Sequence, residues 1–434
     1  MKISAKLLAI IFCSLCLYAC GGPSIAYKKN VNSLIVAENF NTAEKKIQKN
    51  RGKYGKNGIL LYYLDLALIQ QHAKKYHDSD RNFTKAQGIA EELINTNLTE
   101  GISSLVLNDY SIPYQGEDYE IALTFYFRAM NFLMRNNLEE ALVEARKAVF
   151  YLDYVREHSK DGYDEPFVQF FSSLLFEEEG NLSSARIARQ NAKNAYAKQR
   201  YPKNITSMPV PENAGELGEI IFFHLNGLSA MKVSKSSQIG WGEASGIAVS
   251  EGQLDTSLTS YNRALNAGLY PSSVVISLPF YRAVKYEIKQ SEIIVDEDVY
   301  STKLVSNISK TSISEFKKKE SEIFAKTITR IVLKYVIASE TGKAIEASTG
   351  SETWGDIAKI SALMLGAATE RADTRHWGTL PSEIRMSNVF LPPGKHDVKV
   401  LFKDRNNNII KEHTFKNIKV KQGKRTYLIH RTGG

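Results

Sequence analysis

The stretch AMNFLMRNNLEEALVEARKA, residues 129–148, decides the fold of the first half of the chain. It has a small residue at its first position, a leucine nine positions later, a second small residue three further on and an alanine seven beyond that. The same spacing recurs in ALIQQHAKKYHDSDRNFTKA (67–86), with tyrosine for leucine, and in SLLFEEEGNLSSARIARQNA (173–192). Small side chains at such intervals let two antiparallel helices cross closely, so the pattern predicts helix pairs of the tetratricopeptide (TPR) type.

Residues that favour turns stand between the two helices of the predicted pairs. Asn136-Asn137 and Gly180-Asn181 lie where a first helix must end. The three matches begin 62 and 44 residues apart, whereas TPR repeats usually follow one another every ~34 residues, so these repeats carry insertions. Another helix pair is predicted before them, at 25–47. We therefore expect a TPR-like α-solenoid over residues 20–200.

The first twenty residues have the layout of an export signal. Lys2 and Lys6 precede an apolar run over 7–18, which is shorter than the ~20 residues that a membrane-spanning helix needs. The sequence Leu-Tyr-Ala-Cys at 17–20 resembles the lipobox of bacterial lipoproteins, in which the cysteine is acylated and becomes the first residue. We expect residues 1–19 to be a signal peptide and Cys20 to be the lipidation site. The alternative is an ordinary secretory signal with an incidental cysteine.

The distribution of cysteines agrees with lipidation. Cys13, Cys16 and Cys20 are the only three cysteines in the chain. Cleavage before Cys20 removes two thiols and acylation consumes the third, so no free thiol enters an oxidising compartment. Because Gly21 stands where an aspartate would retain a lipoprotein at the inner membrane, we expect attachment to the outer membrane, facing the periplasm.

The composition is that of a soluble globular protein, with 24% charged and 43% hydrophobic residues among 434. Its length predicts two or three domains. Without Lys2 and Lys6 the formal charge falls from +9 to +7, a mild excess that suits an anionic envelope surface better than nucleic acid. We expect contact with a membrane through the lipid and no nucleic-acid partner.

The second half predicts a mixture of strands and helices. Pro202, Pro209 and Pro211 mark a linker after residue 198. Strand-like runs follow at 219–227, 272–282 and 286–297, and the glycine-rich stretch 238–253 between the first two is interpreted as a surface loop. Apolar periodicity predicts helices over 314–338 and 356–372.

The last part of the chain alternates apolar and polar residues with a period of two. Val398, Val400 and Phe402 precede a turn at 404–408, and two further alternating runs follow it. The chain is thus predicted to be an α+β protein, in which the TPR-like solenoid is followed by a mixed α/β domain (213–385) and a small sandwich-like β-unit (386–434).

Two blocks carry a resemblance to a known family, namely 113–148 (PYQGEDYEIALTFYFRAMNFLMRNNLEEALVEARKA) and 372–400 (ADTRHWGTLPSEIRMSNVFLPPGKHDVKV). In these blocks the chain resembles a family of uncharacterised bacterial outer-membrane lipoproteins with a TPR-like N-terminal half, and the resemblance extends over most of the mature chain. It implies the α+β architecture and the envelope location. It implies no activity, cofactor or catalytic residue.

A search for catalytic or metal-binding signatures in the sequence is negative. The histidines show no paired metal-ligand spacing, and no Gly-x-Ser-x-Gly elbow or phosphate-binding loop is present. Asp404, Asn406 and Asn408 resemble the start of a calcium loop, but Ile409 and Phe415 stand where glycine and glutamate belong, so a hairpin turn is predicted. We expect neither metal nor cofactor.

Two charged clusters are candidates for function. In ERADTRHWGTLP (370–381) the candidate binding residues are Arg371, Asp373, Arg375, His376 and Trp377. Arginine could pair with an anionic group or a glycan while tryptophan stacks on it. The alternative is an ion-paired helix end with a core tryptophan. In YQGEDYE (114–120) the carboxylates are predicted to cap the following helix.

These observations favour a binding protein over an enzyme. Helical repeat stacks expose extended surfaces that bind other proteins, so we expect a lipid-anchored periplasmic scaffold or adaptor that binds an envelope protein. One alternative is an envelope enzyme acting on peptidoglycan or another glycan, with Glu370, Asp373 and His376 as acid/base groups. Another is an activator of cell-wall synthases, which rests on likeness of fold alone.

Overall fold

The computed structural model describes residues 22–97, 109–159, 161–250, 273–351, 353 and 371–433. The predicted signal peptide, Cys20 and residues 356–370 of the second predicted helix of the α/β region lie outside these ranges. Within them the protein is a mixture of helices and sheets, and the predicted α+β class is confirmed.

Within the described residues of the N-terminal region, eight α-helices follow one another, and consecutive helices form four pairs. They are α1 (Ile25–Val36), α2 (Phe40–Lys49), α3 (Ile59–His72), α4 (Tyr76–Asn97), α5 (Asp118–Leu133), α6 (Leu138–His158), α7 (Pro166–Glu179) and α8 (Leu182–Lys198). The pair predicted at 25–47 is present as α1 and α2. The tyrosine or leucine that the spacing singled out is in each case the first residue of a second helix, at Tyr76, Leu138 and Leu182.

The turn within each pair is built in the same way four times. Two positions before each second helix, one residue has a positive φ: 52° at Glu38, 61° at Lys74, 57° at Asn136 and 85° at Gly180. The next residue donates its N–H to a carbonyl five positions back, at 2.8 to 2.9 Å: Asn39 to Leu34, Lys75 to Gln70, Asn137 to Phe132 and Asn181 to Phe176. This bond is the wider one of the Schellman motif, which ends a helix and satisfies its last carbonyls. Asn39, Asn137 and Asn181 then cap the following helix with their side chains.

Two four-stranded sheets make a sandwich in the second half. The first sheet has the order β10-β1-β7-β6 and the second the order β5-β4-β8-β9. The strands are β1 (Gly218–Asn226), β4 (Gln290–Val295), β5 (Asp298–Ser301), β6 (Lys303–Ser306), β7 (Glu383–Leu391), β8 (Gly394–Lys403), β9 (Ile409–Val420) and β10 (Arg425–Thr432). β1 runs parallel to β10 and antiparallel to β7.

The first sheet is buried on both faces because its residues alternate between two cores. Ile220 and Phe222 of β1 pack against the second sheet, with Ile293, Val400 and Phe402. Ile221, Phe223 and Leu225 pack against the helices, where the ring of Phe223 lies 5.8 Å from the rings of Tyr126 and Phe171. The described chain therefore forms three layers, with helices, the first sheet and the second sheet in that order.

The predicted boundary between a mixed domain and a C-terminal β-unit falls inside a strand. Residue 385 lies in β7, and β1 from the first of these regions pairs with β10 from the second. Both regions therefore contribute strands to one sandwich and side chains to the core between its two sheets.

A ribbon with two helices lies beside the sandwich. It contains β2 (Met231–Gly240) paired with β3 (Ser273–Arg282), α9 (Trp241–Ser250) and the 42-residue α10 (Ile308–Thr349). The prediction of a surface loop at 238–253 is wrong, because its described part ends β2 and forms α9. Its apolar residues Ile239, Trp241 and Ala244 pack against Ile328 and Val332 of α10, and this packing outweighs the weak helix propensity of the glycines.

Candidate functional site

The segment between residues 371 and 382 has no regular secondary structure and leads into β7. Three of the predicted binding residues in it are buried, with exposed fractions of 4% for Arg375, 2% for His376 and 0% for Trp377. The Trp377 ring meets the rings of Phe83 and Phe127 edge-on, with centroids 6.0 and 5.8 Å away. This segment is thereby anchored between α4 and α5.

Arg375 joins the segment to two loops of the helical region. Its Nε and Nη2 donate to the Asp373 carboxylate at 2.9 Å. Its Nη1 and Nη2 donate to the backbone carbonyls of Asn57, Ile112 and Asp109 at 2.7 to 3.2 Å. Burial would raise the pKa of Asp373, but the hydrogen bonds and charge of Arg375 hold it below its usual value. The Arg375 guanidinium thus connects the segment 371–382 to two loops of the helical region by hydrogen bonds.

Glu120, in the first turn of α5, accepts bonds from three sides. Its Oε1 accepts the backbone N–H of Trp377 at 2.7 Å, and its Oε2 accepts the Tyr114 hydroxyl and the Glu117 N–H. The bond to Glu117 is part of a capping box, as the prediction that YQGEDYE caps a helix requires. Burial raises the pKa of Glu120 to about 7, although these hydrogen bonds favour the ionised form.

Lys28 and Asp65 complete the set from α1 and α3. Lys28 Nζ donates to the Thr374 carbonyl at 2.6 Å and lies 3.1 Å from His376 Nδ1. Asp65 accepts the hydroxyls of Thr379 and Tyr54, both at 2.9 Å. Burial lowers the pKa of Lys28 to about 8, raises that of Asp65 to about 6, and with the charge of Lys28 holds that of His376 well below its usual value.

We call this set the polar junction: Lys28, Asp65, Glu120, Asp373, Arg375, His376, Trp377 and Thr379. The structure brings together four of the five predicted binding residues. Arg371 lies exposed at the start of the segment, and Glu370 is outside the described residues. Asp373 accepts its hydrogen bonds from Arg375, and His376 Nδ1 lies 3.1 Å from Lys28 Nζ and 3.0 Å from the Thr374 carbonyl oxygen, so it bonds to one or the other. The polar junction can thus form ion pairs and hydrogen bonds, and it contains buried groups whose pKa values are shifted from their usual ones.

Sequence reasoning missed Lys28 and Asp65. Asp65 stands alone among apolar residues in ILLYYLDLALI, at 59–69. A charge in such a run is costly to bury without a partner, so it was a signal for a buried polar contact. Nothing in the sequence indicated that Thr379 is the partner, because it lies 314 positions from Asp65 along the chain.

The turn predicted at 404–408 is present, and hydrogen bonds to Asp404 hold it. Asp404 accepts the N–H groups of Asn406 and Asn408, both at 2.8 Å, and closes the β8–β9 hairpin as predicted. In the described part of the chain, no cluster of three or more metal-ligating side chains could hold an ion. None of the described helices is long and apolar enough to cross a membrane.

The fold and site together define a class of protein: helix pairs with repeated turns cover one face of a β-sandwich, and a buried polar junction fastens the two. Comparison of the chain with protein-family models, with curated proteins and with solved structures gives no match.

Proposed function

We propose that this protein is a lipid-anchored scaffold of the bacterial cell envelope, whose TPR-like helix pairs bind another envelope protein. The repeated turn supports the TPR-like assignment, as does the burial of the small residues at the matched positions. These are Ala67, Ser79, Ala86, Ala129, Ala141, Ala148, Ser173, Ala185 and Ala192. Ser79 Oγ donates to the Ala67 carbonyl at 2.7 Å, so α3 and α4 approach closely at these residues.

The observation that carries the proposal is which side of the helix pairs is free. The first helices α5 and α7 are buried over almost their whole length, because the first sheet and the segment 371–382 pack against them. The second helices keep an exposed side, on which Phe150 of α6 is 78% exposed and Ile187 of α8 is 59% exposed. Exposed large apolar side chains favour a protein interface on α6 and α8.

The polar junction supports a scaffold more than the enzyme alternative. Asp373 and His376 would be the acid/base groups of an enzyme, but their hydrogen bonds hold the segment 371–382 in place. Asp373 does so through Arg375, which binds the backbone at residues 57, 109 and 112, and His376 lies against Lys28 of α1. Loss of either residue is therefore expected to act through folding.

The position of Gly22 supports an anchor close to the polar junction. A Cβ atom built on Gly22 would lie 3.0 Å from Cγ of Arg375. Two residues of extended chain reach at most ~7 Å, so an acylated Cys20 would hold this side of the molecule against the lipid.

Photo-crosslinking in intact cells tests the scaffold. A photoreactive residue is placed at Phe150 or at Ile187, and at exposed Lys416 of β9 as a matched control. We expect both helical positions to capture the same envelope protein and the control position to capture none. Equal capture from Lys416, or no adduct from either helix, would contradict binding through the helix pairs.

A further inference from the structure

A groove of about 790 Å³ opens along one side of the sandwich. The linker after α8 forms one wall, and the edges of both sheets form the other, through β5 of the second sheet and β6 and β7 of the first. Its apolar lining includes Tyr201, Ile205, Met208, Val299, Leu304 and Met386. A groove of this volume is in the range of sites that hold a ligand or a short peptide.

Part of β7 at this groove lacks a neighbouring strand. β6 pairs with Ile384 to Met386, while β7 continues to Leu391. Thr302 follows β5 and precedes β6, so the chain crosses there from the second sheet to the first. Beyond Met386, therefore, no described strand pairs with this side of β7, although β5 and the linker lie close to it.

The register shows which groups are exposed at this position. The Glu219 N–H points to β10, since it donates to the Lys424 carbonyl, so Ile220 and Phe222 point their backbone groups to β7. Their partners in β7 are Val389 and Ser387, which therefore face β1.

The intervening residues of β7 face the other way. Because successive residues of a strand point to opposite neighbours, Asn388 and Phe390 direct their N–H and C=O groups to the side where no strand pairs with β7. Within the described residues, no backbone hydrogen bond reaches them from there.

The linker covers this edge without pairing with it. Its contact is a side-chain bond, from Asn388 Nδ2 to the Pro209 carbonyl at 3.2 Å. Pro209 and Pro211 have no N–H group to donate, so this stretch is a poor strand. An extended segment from outside could form the bonds that the linker does not.

Among the described residues that line the groove, Lys303 is the one with a charge, and that charge is positive. Phe390 lies beyond this lining, in a neighbouring pocket that Glu177, Glu178 and Glu219 also line. Lys303 Nζ donates to the Ser207 carbonyl. Burial and the nearby charge of Arg189 lower the pKa of Lys303 to about 8. A carboxylate beside Lys303 would raise this pKa again, because an opposite charge stabilises a buried ammonium group.

We propose that an extended peptide segment of a partner protein, with an acidic residue among apolar ones, adds as a strand beside β7 in this groove. The backbone of Asn388 supplies hydrogen bonds within the groove and that of Phe390 beyond its end, the apolar lining holds alternate side chains, and Lys303 pairs with the carboxylate. This inference goes beyond the scaffold proposed above. It concerns a different surface and depends neither on lipidation nor on the helix pairs.

Hydrogen exchange on the purified full chain tests the groove with a defined probe. The probe is a library of blocked heptapeptides with a central aspartate and with Val, Ile, Leu, Tyr or Thr at every other position. We expect it to slow exchange of the Asn388 and Phe390 amides. A library with asparagine at the centre should bind about tenfold more weakly, since a charge-assisted bond is lost. A library N-methylated at alternate positions should give no protection, because it cannot form the ladder.

Two protein variants locate the charge effect. Lys303→Met should remove the difference between the aspartate and asparagine libraries, whereas Lys416→Met, an exposed control, should keep it. If Lys303→Met fails to fold, the comparison of the libraries on the unaltered protein still decides the matter. Absence of protection at ~1 mM peptide, a concentration that reveals even weak binding, or equal protection by the aspartate and asparagine libraries, would overturn the proposal.

Discussion

Glu120 joins three parts of the chain with one carboxyl group. It caps α5 through Glu117, accepts the Tyr114 hydroxyl from the preceding loop and receives the Trp377 N–H from a segment 257 residues away. Since the group is buried, its proton is held to higher pH in the folded state than in the unfolded chain. The strength of this fastening therefore depends on pH.

The first prediction concerns this dependence. The unfolded carboxyl loses its proton near its usual pKa of 4.5, and the folded one near 7, so the contribution of Glu120 to the free energy of unfolding decreases as pH rises through this window. For a shift of this size the decrease is about 3 kcal/mol. Glu120→Gln cannot titrate, so we expect its stability relative to that of the unaltered protein to increase between ~pH 5 and ~pH 7.5. Urea midpoints at the two pH values measure the effect.

The control for this experiment is Glu139→Gln, an exposed position on α6. Its pH dependence should match that of the unaltered protein. Asp65 and Glu165, whose pKa values burial raises to about 6 and about 7, respectively, act in the same direction. His72, His224, His376 and His430, whose pKa values burial lowers, act in the opposite direction. The effect of Glu120 is therefore measured as the difference between the variant and the unaltered protein at each pH. The same change with pH in both proteins would show that Glu120 does not contribute.

At the scale of elements, close helix crossings limit side-chain size, and this gives the second prediction. Ala141 on α6 and Ala185 on α8 are buried at matched positions. Replacement of either by leucine forces extra methylene groups into a packed crossing and should destabilise the protein by about 1 to 3 kcal/mol. Thermal unfolding measures it. Ile187→Leu, on the exposed side of α8, is the control, and unchanged midpoints in both alanine variants would refute the proposed register.

Local signals made the helix pairs predictable. Asn136-Asn137 and Gly180-Asn181 end one helix and begin the next within a few residues, and the capping bonds that they form involve near neighbours. Period-two alternation likewise predicted β8, β9 and β10. In each case the residues that determine the element lie inside it or within a few positions of its ends.

Distant contacts account for what the sequence did not reveal. The cluster around Arg375 and Trp377 was visible as composition, but its burial depends on Glu120 and on loops near residues 57 and 112. The stretch 238–253 was interpreted as a loop from its glycines, whereas α10 supplies the surface that makes its described part a strand end and a helix. Pairing across such distances has no local pattern.

At the scale of the whole molecule, the proposed lipid decides where the protein works, and this is the third prediction. Cys20→Ser removes the thiol that acylation requires, so we expect the precursor to remain uncleaved or the protein to be released from membranes. Fractionation of cells and the apparent mass of the product measure this. Cys16→Ser, within the predicted signal peptide, is the control and should leave attachment unchanged. A Cys20→Ser protein of mature size in the outer membrane would refute lipidation.

The parallel pairing of β1 with β10 has a consequence for how the chain is made. Glu219 of β1 and Arg425 of β10 are register partners 206 residues apart. Nearly half of the chain must therefore be synthesised after β1 before β10 can pair with it. Until then its open edge carries unpaired backbone groups beside apolar side chains, which is the kind of edge that recruits other chains. Contacts over such distances are also slow to form. Synthesis interrupted before β10 is thus expected to yield fragments that aggregate more readily than the complete chain does.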